Sequence, residues 1–202
     1  MKVKNVEHFL VNPGWGKNLL FVKVTTDNGL VGWGECYTQS DRDKTVVVHV
    51  EHLATYLIGR DPFEIKYFNQ IVFDDYSSRR GSMEIYSALS GIEQALWDIC
   101  GKATNQPVYK LLGGPCRGKL RVYANGWYAG STKPEDYAEK AKLTVDQGYT
   151  ALKFDPIPGP FRSIISSNNM KQSIETVRQV RSAVGDDIDL LIEVHRRFSP
   201  MT

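Results

Sequence analysis

Midway along the chain the apolar pattern changes its order, and this limits the possible folds more than any other feature of the sequence. Before Gly113-Gly114-Pro115, extended segments rich in apolar and β-branched residues follow one another at 3–11, 19–26 and 30–36. Beyond it, extended segments at 120–124, 150–154 and 188–194 alternate with helical ones at 133–147 and 170–184. Successive strands joined by turns build an antiparallel sheet, whereas strands separated by helices build βαβ units with parallel strands. Two domains follow, 1–117 and 118–202, with the boundary in the breaker-rich stretch 113–118.

Local signals sharpen the first half. Asp27-Asn28-Gly29 tolerates the positive φ that a tight hairpin needs. Asn12-Pro13-Gly14-Trp15-Gly16-Lys17-Asn18 reads as a loop, either a plain turn or a lid over a ligand. Asp41 or Asp43 is positioned to cap a helix running to Leu57, and 62–74 reads as a second, shorter helix. His49 and His52 share a face of the first helix but lack a third ligand at metal-site spacing, so they read as a solvated face. Ser82 caps a helix over 83–101 in which Ile85, Leu89, Ile92, Leu96 and Ile99 recur every three or four residues.

Composition removes several function classes. The 25 basic and 23 acidic side chains give a net charge of +2, without the basic run or basic-aromatic repeat that grips a phosphate backbone, so no nucleic-acid partner is expected. No apolar run reaches the ~18 residues of a membrane span, and Lys2, Lys4, Glu7 and His8 interrupt any signal-type start. A soluble cytoplasmic protein without membrane contact is expected. Cys36, Cys100 and Cys116 lack metal-type spacing and read as reduced thiols.

The second half admits two readings. A Rossmann-type site would want G-x-G-x-x-G after its first strand, where Tyr123-Ala124-Asn125-Gly126-Trp127 stands instead. A complete barrel needs about 250 residues, many more than follow position 118. Either a small open α/β domain or the front of a barrel remains.

The stretch Ala88-Leu89-Ser90-Gly91-Ile92-Glu93-Gln94-Ala95-Leu96-Trp97-Asp98-Ile99-Cys100-Gly101-Lys102, followed by Pro107-Val108-Tyr109-Lys110-Leu111-Leu112-Gly113-Gly114, closely resembles the signature of the mandelate racemase and muconate lactonizing branch of the enolase superfamily. The resemblance extends over the whole chain and implies an α+β capping domain followed by the first units of a (β/α) TIM-type barrel, truncated after the third barrel strand. Within the helix itself, Ala88, Gly91 and Ala95 permit close packing.

The same resemblance implies site residues. Glu193 and His195 lie two apart on the third barrel strand, hence on one face near its carboxyl end. Glu193 occupies the place of the first Mg²⁺ ligand, usually an Asp, and His195 that of the group which protonates a departing hydroxyl in sugar-acid dehydratases of the galactonate type. Lys153 stands where racemases carry the first Lys of Lys-x-Lys, and Asp155 replaces the second, which disfavours two-base stereoinversion. Trp15, Tyr37 and Arg42 fall in loops that set specificity in the family, and the loop 156–169, with Phe161 and Arg162, is long for a βα connection.

The implied activity is Mg²⁺-dependent dehydration of a small-molecule sugar acid: removal of the proton α to the carboxylate, an enediolate held by the metal, and loss of the β-hydroxyl. The alternatives are a racemase or epimerase of the same superfamily, or a non-catalytic binding or interaction module. The resemblance further implies a homo-oligomer for the full-length form. Taken alone, the 202 residues are expected to be inactive and to leave Ile188, Leu190 and Ile192 exposed along an open sheet edge.

Overall fold

The computed structural model describes residues 1–14, 16–39, 41–77, 81–159, 165–194 and 198. The chain forms two compact units, Met1–Cys116 and Arg117–Thr202.

In the first unit, β1 (Val3–Val11), β2 (Leu19–Thr26) and β3 (Val31–Cys36) form an antiparallel meander in the order β1-β2-β3. The β2–β3 turn closes on Gly29, whose φ of 85° is the left-handed conformation that the sequence predicts there. Leu20, Val22 and Val24 alternate with half-exposed neighbours and face the core, which α1 (Asp43–Ala54), α2 (Ile65–Ile71) and α3 (Met83–Thr104) complete. Helix α1 ends at Ala54, short of Leu57, and takes its N-cap from the Arg42 backbone rather than from an Asp side chain; Asp43 lies in its first turn. The short helix α2 passes into a π-helical stretch, Val72–Ser77. Helix α3 begins as its sequence predicts, with Ser82 Oγ accepting the Ile85 N–H at 3.3 Å. It runs past Gly101 to stop at Asn105, whose φ of 51° supplies the left-handed cap.

The signature helix packs on β3 backbone to backbone. A Cβ on Gly34 would stand 1.9 Å from the Gly91 carbonyl oxygen, and one on Gly32 would stand 2.0 Å from that of Ala95. The same helix closes the free edge of β3. Gln94, Asp98 and Lys102 are spaced by four, so they line one side of α3. Asp98 accepts the Trp33 N–H at 2.9 Å, Lys102 donates to the Val31 carbonyl at 2.7 Å, and Gln94 both accepts the Glu35 N–H and donates to its carbonyl, each at 3.1 Å. Polar groups that would invite another strand are thereby satisfied.

A short helix α4 (Val108–Leu111) ends the first unit. The second holds α5 (Pro134–Asp146), β4 (Ala151–Phe154), α6 (Ser167–Val184) and β5 (Asp189–Ile192). β4 and β5 pair in parallel, the arrangement expected of βαβ chemistry, and Leu152, Phe154, Ala141 and Val180 form a second core between sheet and helices. The expected strand at 120–124 is reduced to one parallel bridge, Ala124 to Leu152. The Ala124 N–H and carbonyl bond to Ala151 and Lys153 across it, while Leu120 and Val122 are exposed. Alternating apolar residues had suggested a longer strand, but a strand exists only where a neighbour takes its backbone groups. Ile188 is buried and Leu190 packs against the second core, so of the three side chains expected along the open edge only Ile192 is exposed.

Candidate active site

The parallel register sets Ala151 beside Asp189 and Lys153 beside Leu191. Side chains alternate between faces, so Lys153 and Glu193, two residues beyond Leu191, project from the same side of the sheet, opposite the core residues Leu152 and Phe154. The Glu193 N–H extends the ladder by bonding the Phe154 carbonyl at 2.9 Å. Lys153 Nζ meets Glu193 Oε2 at 2.5 Å, and both side chains are partly exposed. Hydrogen bonding to Glu193 raises the Lys153 pKa above its ordinary value, so the ammonium persists at neutral pH. A carboxylate and a fixed cation thus share the carboxyl ends of adjacent parallel strands.

Two aromatic residues that sequence reasoning missed hold the end of β4. Trp127 Nε1 donates to the Lys153 carbonyl at 3.0 Å, and the Tyr137 hydroxyl lies 3.4 Å from the Asp155 carbonyl it donates to. Both belong to a cluster with Tyr128 and Phe154, Tyr128 and Tyr137 being stacked at 5.8 Å. Burial, then the Asp155 charge, pushes the Tyr137 phenol above its ordinary pKa. The adjacent aromatics after Gly126, with Tyr137 in the first turn of the following helix, were the available signal. The Asp155 carboxylate accepts the Ile157 N–H at 3.0 Å and so turns the chain out of the strand.

His195, Trp15, Phe161 and Arg162 lie outside the described residues. Tyr37 and Arg42 are described in the first unit. Tyr37 is exposed, with Lys17 Nζ over its ring 4.0 Å from the centroid. The Arg42 guanidinium is engaged by Glu84 at 3.0 Å, so the cation read as a clamp for a substrate carboxylate already holds a carboxylate of its own unit.

Among the described residues, no three His, Cys, Asp or Glu side chains come together to hold a metal ion. Glu193 is a hard-oxygen donor of the type Mg²⁺ takes, and these residues therefore suit one ligand of that ion rather than its whole shell.

Residues 15–113 match the family described as mandelate racemase / muconate lactonizing enzyme, N-terminal domain, and residues 136–202 match the enolase C-terminal domain-like family. The chain belongs to the mandelate racemase and muconate lactonizing enzyme family. It joins a capping domain of that family to the start of its barrel domain. A D-gluconate dehydratase of Thermoproteus tenax is 44% identical over 92% of this chain and 37% of its own length. A D-gluconate/D-galactonate dehydratase of Picrophilus torridus is 37% identical over 98% of this chain and 51% of its own. The crystal structure of a mandelate racemase/muconate lactonizing enzyme from Jannaschia sp. CCS1 superposes with a TM-score of 0.88 at 33% identity, covering 100% of this chain and 56% of the other. The chain thus spans about half the length, or less, of the curated relatives it matches. No helix among the described residues is long and apolar enough to cross a membrane.

Proposed function

We propose that the whole protein to which these residues belong dehydrates a sugar acid, an aldonate or aldarate, by removing the proton α to the carboxylate and expelling the β-hydroxyl. The observation that carries this reading is the Lys153–Glu193 pair at the carboxyl ends of β4 and β5, in a chain whose relatives are named as sugar-acid dehydratases. Glu193 would hold one position of a Mg²⁺ ion, which when bound stabilises the charge that develops on the substrate carboxylate. Lys153 keeps the Glu193 carboxylate oriented and adds a positive charge where the substrate's negative charge must sit. His195, two residues after Glu193 in the sequence, donates a proton to the departing hydroxyl, which leaves as water. Asp155 contributes to substrate binding through the turn it fixes, and Trp15, Tyr37 and Arg42 to the choice of sugar acid. Elimination needs one base at the α-carbon, whereas stereoinversion needs a second on its other face, and Asp155, a carboxylate committed to the Ile157 N–H where racemases carry the second Lys, suits that second task poorly. This favours dehydration over racemisation or epimerisation.

The test is an assay of the whole protein against a panel of aldonic and aldaric acids for 2-keto-3-deoxy product, with Mg²⁺ present and with it chelated. Product that forms only with the metal supports the reading; stereoinversion without elimination would replace it by an epimerase. In the active protein, His195→Asn is expected to suppress elimination far more than exchange of the α-proton with solvent deuterium. Equal loss of both would move His195 from proton donation to positioning.

A further inference from the structure

The two edges of the β1-β2-β3 sheet are finished differently. On β3 the outward backbone groups of Val31, Trp33 and Glu35 are taken by α3 side chains. Backbone groups alternate in direction along a strand, so Gly34 bonds Val22 of β2, Phe21 and Lys23 turn toward β1, and Phe9 and Glu7 bond them. The N–H and carbonyl groups of Val6, His8 and Leu10 therefore point away from the sheet. At the start of β1 that edge is occupied, because Val3 N–H donates to the Arg60 carbonyl and Gly59 N–H to the Val3 carbonyl, each at 2.8 Å. Past the irregularity between Val3 and Asn5, no backbone group among the described residues bonds to Val6, His8 or Leu10 from outside the sheet.

Open edges are normally blunted by Lys, Pro, a bulge or a covering segment. From Asn5 to Val11, β1 has no Lys and no Pro, and its one carboxylate, Glu7, is held by Lys23 at 3.1 Å. Phe9, Leu10 and Val11 are exposed there, and Phe9 meets the exposed Trp33 with ring centroids 5.6 Å apart. We propose that this stretch is an interface between two copies of the chain, β1 pairing antiparallel with β1 of the second copy and joining the two three-stranded sheets into one. An antiparallel pair of identical strands is two-fold symmetric, so a single contact serves both copies and closes. Centred on Glu7, the pairing would oppose two carboxylates, and centred on His8, two imidazoles. Centred on Phe9, it opposes two phenyl rings and sets Glu7 beside Val11, and His8 beside Leu10, of the second copy. Opposed like charges destabilise a strand pair and opposed aromatic rings stabilise it, which selects the Phe9 register. In that register His8 and Leu10 exchange their outward backbone bonds across the axis, and the Trp33–Phe9 contact continues into the same two rings of the second copy. Pairing along an edge buries little area, so the dimer is a weak one that forms as concentration rises. The proposal is independent of the dehydratase reading.

The experiment uses this chain with Leu120→Lys, Val122→Lys and Cys116→Ser, which remove an exposed apolar pair of the second unit and the exposed thiol. Sedimentation velocity should show an equilibrium between monomer and dimer, with hydrogen exchange over 6–10 slowing as concentration rises while exchange over 20–24 stays constant. Phe9→Lys, on the solvent face of the sheet, is expected to hold the monomer with an unchanged circular dichroism spectrum, and Phe9→Leu to keep the dimer. Under mild oxidation Phe9→Cys should give a disulfide-linked dimer, because directly opposed residues of a non-hydrogen-bonded pair lie within disulfide reach, whereas Val11→Cys should not. A chain that stays monomeric, a dimer that Phe9→Lys leaves intact, or a dimer linked no better through position 9 than through position 11 would overturn the proposal. The cross-link is then repeated in the whole protein, where its absence would overturn the proposal as well. Protection of 6–10 at every concentration in that case would assign the edge to another segment of the same chain.

Discussion

Glu84, in the first turn of α3, accepts from Arg42 at 3.0 Å and is stabilised by its own backbone N–H and by the Ser82 hydroxyl, which together take its pKa from the ordinary 4.5 down to about 2. Between those two values the unfolded chain binds a proton that the folded chain does not, so stability rises with pH across that window and is fully present above it. Acid unfolding followed by circular dichroism should show this loss as pH falls from 4.5 toward 2, and Glu84→Gln should flatten it. An unchanged acid limb in that variant would assign the window to other carboxylates. At the same scale, burial raises the thiol of Cys36 to about 12, and with its sulfur against Gly91 it is a packing group rather than a nucleophile. Exposed Cys116 should react with a thiol reagent under native conditions far faster than Cys36 or Cys100, which are buried.

Among the elements, the α3–β3 contact has the least tolerance. With the Gly91 carbonyl 1.9 Å from where a Gly34 Cβ would sit, Gly34→Ala forces helix and strand apart instead of displacing a flexible side chain. Overpacking of this kind costs about 1–3 kcal/mol or more, and urea denaturation should show a lower midpoint by that measure. Leu96, fully buried in the same helix, should cost about 2–5 kcal/mol as Leu96→Ala by leaving a cavity. The Gln94, Asp98 and Lys102 row has a different role. Its loss would expose the β3 edge, so Gln94→Ala is expected to increase self-association at high concentration more than it lowers thermal stability.

On the scale of the whole molecule, the two units differ in how far their sheets are covered. β2 has a strand on each side and the helices of the first core on its buried face. Among the described residues β5 has β4 alone, and Leu120, Val122, Leu191, Ile192 and Val194 are exposed in that unit. Amides of β2 should therefore exchange much more slowly than those of β5. Exposed apolar side chains beside incompletely paired backbone promote association. Sedimentation velocity should show concentration-dependent association of this chain, reduced when Leu120 and Val122 are both replaced by Lys. A monomer at all concentrations with slow exchange over 189–192 would show instead that the second unit is self-sufficient.

Features governed by a few neighbouring residues were legible in the sequence. The β2–β3 turn at Asp27-Asn28-Gly29, the Ser82 cap and the close packing of Ala88, Gly91 and Ala95 all follow from local dihedral preferences and from the helical period of 3.6. The signature around α3 made the family legible as well. Pairings between distant residues were not. Arg42 meets Glu84, Trp127 reaches the Lys153 carbonyl and Lys17 covers Tyr37 only because the fold brings their elements together. Residues 120–124 alternate like a strand, yet they pair at Ala124 alone. Period is a property of the chain's own geometry, whereas a partner depends on which other segment arrives to take the hydrogen bond, and only the tertiary structure decides that.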